Sequence, residues 1–293
     1  MSYPTILAMI NELCATAFMM GALGAELRLR QGGAAGDPEI RNILKDAIGA
    51  LSLGNIDALE PSQRAVIVAQ LTYALQEALD LIREPERPAG WAYQDATILQ
   101  DRGRGSRAMA HIIADLARQR PKFAALLERE PRFLDIGTGV AFIAIEAAKL
   151  WPKMRITGID IWDPALKLAE TNIAGEGLQD RIALRRQSVA EIDDESAFDL
   201  IWMPSMFLPL KVIELALPRV VRALSSGGML ILGTYAPALG PFGRFASRLL
   251  TVRSGGHPWD QSEMKDRLVP LGLVDIEPVV LTSTTHGVLA RKS

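Results

Sequence analysis

The sequence predicts an α/β fold: a largely parallel sheet with helices on both faces, preceded by an all-helical domain. The first 130 residues show helical periodicity. From Pro131 onward, short β-rich runs alternate with helical stretches, which is the pattern of a parallel sheet. The last two β-rich runs follow each other directly and predict an antiparallel hairpin. We therefore expect a helical domain over residues 1–121 and a sheet domain over 122–293.

The first predicted helix has apolar residues almost all round, from Ile6 to Leu27. Only 13 uncharged residues separate Glu12 from Glu26, whereas a membrane-spanning helix needs about 20. No basic residue precedes Arg28, so a signal peptide is not indicated. We therefore expect a helix buried in a core or in a homodimer interface, with no membrane contact and a cytoplasmic location.

The remaining elements follow from their start signals and their periodicity. Asp37-Pro38 and Pro61 begin two further helices, and a helix to about Arg118 precedes a shorter one from Pro121. The predicted strands are Arg132–Ile136, Met154–Ile159, Ile182–Arg186, Phe198–Met203, Met229–Thr234, Val274–Leu281 and His286–Arg291.

Composition excludes several classes of protein. The chain has 293 residues, of which 49% are apolar and 23% charged, as in soluble globular proteins. The net charge of −2 provides no general attraction for nucleic acid or an anionic membrane. Cys14 is the single cysteine, which excludes an internal disulfide and a cysteine-built zinc site. With 3 histidines spread along the chain, we expect no metal.

A glycine-rich turn follows the first predicted strand, in the pattern Asp135-x-Gly137-x-Gly139-x-Ala141. Glycine lacks Cβ, so such a turn lets backbone approach a ligand closely. A dinucleotide fingerprint needs a small residue where Phe142 stands, and no Lys-Ser/Thr pair for a triphosphate is present. The turn resembles the first motif of class I S-adenosylmethionine-dependent methyltransferases.

The second predicted strand is followed by Asp160, 23 residues after Gly137. A carboxylate at this place can accept both ribose hydroxyls of an adenosyl ligand. Asp163-Pro164 then begins a helix that ends in Ala169-x-x-Asn172. This arrangement is similar to the second motif of the same family.

The resemblance implies a Rossmann-like class I methyltransferase sheet of seven strands, in the order 3-2-1-4-5-7-6. It implies S-adenosylmethionine as cofactor. Ser188 stands where the family usually has an acid that meets the adenine amino group, and Arg104 is our candidate for the donor's carboxylate. The implied donor-binding residues are Asp135, Gly137, Thr138, Gly139, Asp160, Ile161, Ser188, Val189, Met203 and Arg104.

Residues 251–259, in the insertion Ala236–Trp259 after the fifth strand, are expected to form a lid over the acceptor. Gly255-Gly256 is interpreted as its hinge, and His257 as a possible general base. Packing remains the alternative for these side chains. The acceptor-binding candidates are Tyr93, Met206, Arg253 and Trp259.

We therefore expect methyl transfer to an oxygen or nitrogen of a small molecule, such as a bacterial secondary metabolite. Nucleobase-amine enzymes of this family place Asn/Asp-Pro-Pro-aromatic after the fourth strand, whereas this chain has Met203-Pro204-Ser205-Met206. That difference argues against a nucleic-acid partner. An RNA or protein methyltransferase, and a protein that binds the donor without transferring methyl, remain alternatives.

Overall fold

The computed structural model describes residues 1–30, 37–51, 53–91, 93–236, 242–282 and 284–293. Residues 31–36, after the first helix, and residues 237–241, in the insertion after the fifth strand, lie outside these ranges. The chain divides into two compact units, Met1–Arg87 and Pro88–Ser293. This division comes earlier than the boundary expected at 121/122.

The first unit contains three long helices: α1 (Tyr3–Leu29), α2 (Pro38–Ala50) and α3 (Pro61–Arg83). Asp37 caps α2, because its side chain accepts hydrogen bonds from the backbone N–H groups of Glu39 and Ile40. Their shared core is small and consists of Leu27, Ile48, Ile56 and Val68.

Helix α1 is more exposed than its composition predicts. Its only buried residues are Glu26 and Leu27, near its carboxyl end. The expectation that it is buried in a core is therefore wrong for most of its length, and Leu13 and Phe18 are both largely exposed. By length and composition alone, α1 and residues Gln63–Arg83 of α3 each could cross a membrane.

The second unit begins with three shorter helices: α4 (Ala96–Ser106), α5 (Ala108–Arg118) and α6 (Pro121–Leu127). Arg104 lies in α4, whose first turn Asp95 caps. Ile113 of α5 and Phe123 of α6 are fully buried in one core with Phe133. These helices therefore pack with the sheet.

The sheet contains seven strands in the order β3-β2-β1-β4-β5-β7-β6, which confirms the predicted fold. Strand β7 runs antiparallel to β5 and β6, and the other neighbours are parallel. The strands are β1 (Arg132–Ile136), β2 (Arg155–Asp160), β3 (Ile182–Arg186), β4 (Phe198–Pro204), β5 (Leu224–Tyr235), β6 (Leu273–Val280) and β7 (Thr285–Lys292).

Helices cover both faces of this sheet. They are α7 (Phe142–Leu150), α8 (Asp163–Gly175), α9 (Leu210–Ala223), α10 (Gly243–Arg253) and α11 (Gln261–Leu268). Successive side chains of a strand face opposite sides, so Phe133 of β1 joins one core and Leu134 the other. Because β1, β2, β4 and β5 are parallel, their carboxyl ends meet at one edge, where ligands of such sheets bind.

Candidate active site

The glycine-rich turn lies at this edge, between β1 and α7. The backbone N–H groups of Gly137 and Thr138 both donate to the carbonyl of Ile159 in β2, at 2.8 and 3.0 Å. Gly137 and Gly139 have φ values of +66° and +56°. These left-handed conformations favour glycine, which explains the two residues.

Little of the protein crowds these two glycines. A Cβ added to Gly137 would meet Pro204 Cγ at 3.6 Å, and one added to Gly139 would meet a backbone oxygen at 3.9 Å. Both are ordinary van der Waals distances, so the space beside the turn is not filled by the chain itself. This open backbone suits a ligand that approaches closely, as the adenosyl donor of the sequence prediction requires.

Asp160 ends β2 directly beside the turn. Its Oδ2 accepts from the backbone N–H of Gly139 at 2.8 Å, and its Oδ1 accepts from Trp162 N–H at 2.9 Å. An ionised carboxylate has about four lone-pair positions, so these two hydrogen bonds leave capacity for further donors. Burial raises the pKa of Asp160, whereas these backbone hydrogen bonds lower it. The remaining acceptor capacity fits a vicinal diol such as a ribose.

Asp135 is fully buried in β1, beneath the turn. Thr138 Oγ1 donates to its Oδ2 at 2.8 Å, whereas Oδ1 has no hydrogen-bond partner in the described part of the chain. Burial raises the pKa of Asp135 to about 7, and the hydrogen bond from Thr138 opposes this shift. Thr138 itself sits against Gly158 of β2, where an added Cβ would approach Thr138 Oγ1 to 2.8 Å.

Other predicted donor-binding residues lie near the same edge but with different exposure. Ser188 Oγ accepts from Ala190 N–H at 3.2 Å and so caps a short 3₁₀ turn after β3. Val189 and Met203 are buried in the core, whereas Ile161 is 66% exposed. Contact of these residues with a donor remains a prediction.

Arg104 lies on the surface of α4. Its guanidinium is largely exposed and pairs with Asp101 at 2.6 Å, one turn earlier in the helix. The neighbouring Gly103 contacts the turn, since a Cβ there would come within 2.2 Å of Val140 Cγ2. Binding of the donor's carboxylate by Arg104 remains a prediction.

Aromatic side chains cover the carboxyl ends of β4 and β5. Phe207, just after β4, packs edge-to-face on Tyr235 at the end of β5, with ring centroids 6.0 Å apart. Trp91 contacts Phe207 at 5.7 Å and Tyr93 at 5.3 Å. The Arg102 guanidinium lies 4.1 Å from the centroid of the Tyr93 ring. Of this cluster, Tyr93 is among the acceptor-binding candidates predicted from the sequence.

The predicted lid packs tightly on its neighbours. A Cβ on Gly256 would lie 2.0 Å from the carbonyl oxygen of Met206, and one on Gly255 would lie 3.0 Å from Gly90 Cα. Close backbone contacts therefore require glycine at both positions, and the interpretation of the pair as a hinge remains a prediction. Trp259 is buried, and its indole N–H donates to Ser205 Oγ at 2.9 Å. Residues 254–259 thus form a closely packed wall of the candidate site.

The other acceptor candidates lie on or near this wall. His257 Nε2 is 3.2 Å from Glu263 Oε1, and Glu263 also contacts Arg267, so this nitrogen faces the charged surface of α11. Arg253 and Met206 are buried, and the Arg253 carbonyl accepts from Gly90 N–H at 3.0 Å. The catalytic and acceptor roles of these residues remain predictions. Within the described ranges, no group of three His, Cys, Asp or Glu could hold a metal.

Comparison with known proteins identifies the segment that carries the turn. Residues 133–228 match the family model of the methyltransferase domain. The match begins in β1 and includes the glycine-rich turn and Asp160, so it confirms the resemblance predicted from those residues. It also supports the predicted cofactor, S-adenosylmethionine.

Curated relatives match only part of this chain. The release factor glutamine methyltransferase of Rhodopirellula baltica is 33% identical over 104 residues, which cover 35% of this chain and 35% of that protein. A malonyl-[acyl-carrier protein] O-methyltransferase of Bacillus cereus is 23% identical over 129 residues, 44% of this chain and 45% of its own length. The chain thus matches less than half the length of either relative.

Solved structures match the fold over nearly the whole chain. The pyocyanin biosynthetic protein PhzM has a TM-score of 0.68 at 15% identity and covers 99% of this chain and 98% of its own. Human N-acetylserotonin methyltransferase has a TM-score of 0.66 at 14% identity, with 98% of both chains covered. At these identities the likeness shows a shared fold.

Proposed function

We propose that this chain transfers a methyl group from S-adenosylmethionine to an oxygen or nitrogen of a small molecule. When bound, the donor supplies an electrophilic methyl group. The turn at Gly137–Gly139 and the Asp160 carboxylate would hold it. The residues there have mainly to orient an acceptor and exclude water.

The aromatic cover on the ends of β4 and β5 carries the small-molecule part of the proposal. Trp91, Phe207 and Tyr235 form a continuous series of ring contacts there. The wall formed by residues 254–259 adds a further side to this surface, because Gly255 packs against Gly90 and Gly256 packs against Met206. Such a surface suits a compact, partly apolar acceptor. The whole-chain likeness to PhzM and N-acetylserotonin methyltransferase agrees with this choice. The proposal includes a role in bacterial secondary metabolism.

A macromolecular acceptor is the second candidate, because curated relatives include methyltransferases named for a release factor and a transfer RNA. To test these alternatives, the protein is incubated with S-adenosylmethionine and three panels of acceptors, and methylated products are detected by mass spectrometry. One contains small phenols, acids and amines, the second bulk transfer RNA, and the third purified release factor and ribosomal proteins. We expect methylation in the first panel alone. Product confined to the second or third would replace the small-molecule proposal.

The Asp160→Ala variant tests the proposed donor site. Its carboxylate can accept two charge-assisted hydrogen bonds from a diol, each worth roughly 1.5–3 kcal/mol. We therefore expect at least a tenfold weaker affinity for S-adenosylhomocysteine, the demethylated donor, in a calorimetric titration. An unchanged dissociation constant would place this acid outside the donor site.

We further propose that the first unit mediates homodimerisation in the cytoplasm. The exposed apolar side chains of α1, among them Met9, Ile10 and Leu13, support this proposal. Sedimentation of the parent and of a Leu13→Asp variant tests it. We expect a dimer for the parent and a weaker dimer for the variant. A parent that is monomeric and binds lipid vesicles through α1 would contradict it.

A further inference from the structure

Two side-chain amides join α4 to α8. Gln100 Nε2 donates to Asn172 Oδ1 at 3.0 Å, and Asn172 Nδ2 donates back to Gln100 Oε1 at 3.2 Å. The two residues are 72 positions apart in sequence, so the pair is a tertiary link. Neither residue has a role in the function proposed above.

Asn172 makes one more hydrogen bond, and this bond reaches the glycine-rich turn. Its Nδ2 donates to the carbonyl oxygen of Val140 at 2.9 Å. An amide NH₂ group has two hydrogens, and here one points to Val140 and the other to Gln100. A carbonyl can only accept, so the Val140 oxygen fixes which way the Asn172 amide faces, and through it the orientation of Gln100.

The Val140 carbonyl lies at a sensitive point of the backbone. The next residue, Ala141, has a φ of +67°, a left-handed conformation that a residue with a Cβ adopts at a cost in strain. Helix α7 begins directly after it, at Phe142. A hydrogen bond to the preceding carbonyl holds the peptide plane in the orientation that this conformation needs.

The turn is therefore held from both sides. Asp160 Oδ2 accepts from the N–H of Gly139, and Asn172 donates to the carbonyl of Val140, the next residue. Helix α4 also touches the turn, where Gly103 packs on the Val140 side chain. The amide pair sets the position of α4 relative to α8, so it supports this contact as well.

We infer that Asn172, through its hydrogen bond to Val140, is a positioning residue that holds the glycine-rich turn in its donor-binding conformation. This inference rests on the proposed function for the identity of the ligand. The turn would contact the donor equally before and during methyl transfer. Loss of its support should therefore raise the donor KM and leave kcat within about twofold.

Asn172→Asp and Gln100→Glu make a matched pair for the test, since each replaces an amide by a carboxylate. Asn172→Asp removes the donor to Val140 and places a negative charge against that carbonyl. Gln100→Glu leaves the Asn172–Val140 hydrogen bond possible. We expect affinity for S-adenosylhomocysteine to fall at least tenfold in the first variant and less than threefold in the second, measured by calorimetry. If Asn172→Asp fails to fold, Asn172→Ala takes its place, with a loss of at least threefold expected.

Amide hydrogen exchange in the unliganded proteins gives a second readout. We expect the amides of residues 139–142 to exchange faster in Asn172→Asp than in Gln100→Glu, with unchanged exchange in β5. Equal affinity losses in the matched pair, or unchanged exchange in the turn, would overturn the inference. A parent that fails to bind S-adenosylhomocysteine would refute the proposed function instead, and the exchange measurement would still decide whether Asn172 holds the turn.

Discussion

At the scale of one residue, the raised pKa of Asp135 can be measured without any ligand, through the pH dependence of protein stability. Its carboxyl is buried and its pKa is raised to about 7, from an ordinary value near 4. Between these two values the folded chain binds a proton that the unfolded chain has lost. The contribution of Asp135 to stability is therefore complete below a pH of about 4 and is lost as the pH rises through about 7.

Asp135→Asn should remove this pH dependence, because an amide does not titrate in that range. We expect the free energy of unfolding of the variant, minus that of the parent, to be larger at pH 8 than at pH 5 by roughly 1–3 kcal/mol. Denaturant titrations of both proteins at the two pH values measure the difference. Parallel pH dependence in parent and variant would show that Asp135 is ionised throughout.

The residues proposed for the donor site were predictable because they lie in one turn and at the end of the next strand. Gly137 and Gly139 lie in one turn, and Asp160 ends the next strand of a parallel sheet, so their proximity follows from topology alone. The aromatic cover was not predictable in full, since Phe207 and Tyr235 are paired only by the folded sheet. Likewise, the sequence contained no feature that linked Gln100 to Asn172.

At the scale of elements, α4 offers two glycines in contrasting surroundings. Gly103 faces Val140, where an added Cβ would lie 2.2 Å from Cγ2, whereas Gly105 has nothing within 4 Å. Gly105→Ala should therefore stabilise the protein by about 0.5–1 kcal/mol, because alanine favours a helix. Gly103→Ala should destabilise it by about 1–3 kcal/mol through overpacking.

Thermal unfolding measures the stability of the Gly103→Ala and Gly105→Ala variants, and calorimetry measures their affinity for S-adenosylhomocysteine. Since Gly103 touches the glycine-rich turn, its variant should also bind this ligand more weakly, whereas Gly105→Ala should bind as the parent does. Two variants with the same stability and affinity would show that α4 does not pack on the turn. Gly255 and Gly256 give the related lesson: sequence cannot distinguish a glycine needed for motion from one needed for close packing.

At the scale of the molecule, the expected boundary followed the first strand rather than the core. The sequence shows that β-rich runs begin near Pro131. The helices expected before residue 121 were therefore assigned to a separate helical domain. The core includes Leu99, Ala110 and Ile113 from α4 and α5. An amphipathic helix does not reveal which neighbour its apolar face meets, so this assignment required the tertiary structure.

Two fragments distinguish the boundaries. A chain starting at Pro88 keeps α4 to α6 on the sheet and should unfold cooperatively and bind S-adenosylhomocysteine within about threefold of the full chain. A chain starting at Pro121 loses Leu99 and Ile113, each worth about 1.5–3 kcal/mol when buried, and exposes the surface they cover. Because whole domains are stable by only about 5–15 kcal/mol, we expect this fragment to lose cooperative unfolding and binding. Circular dichroism melts and calorimetry of both fragments decide the matter. Equal behaviour of the two would restore the boundary at 121/122.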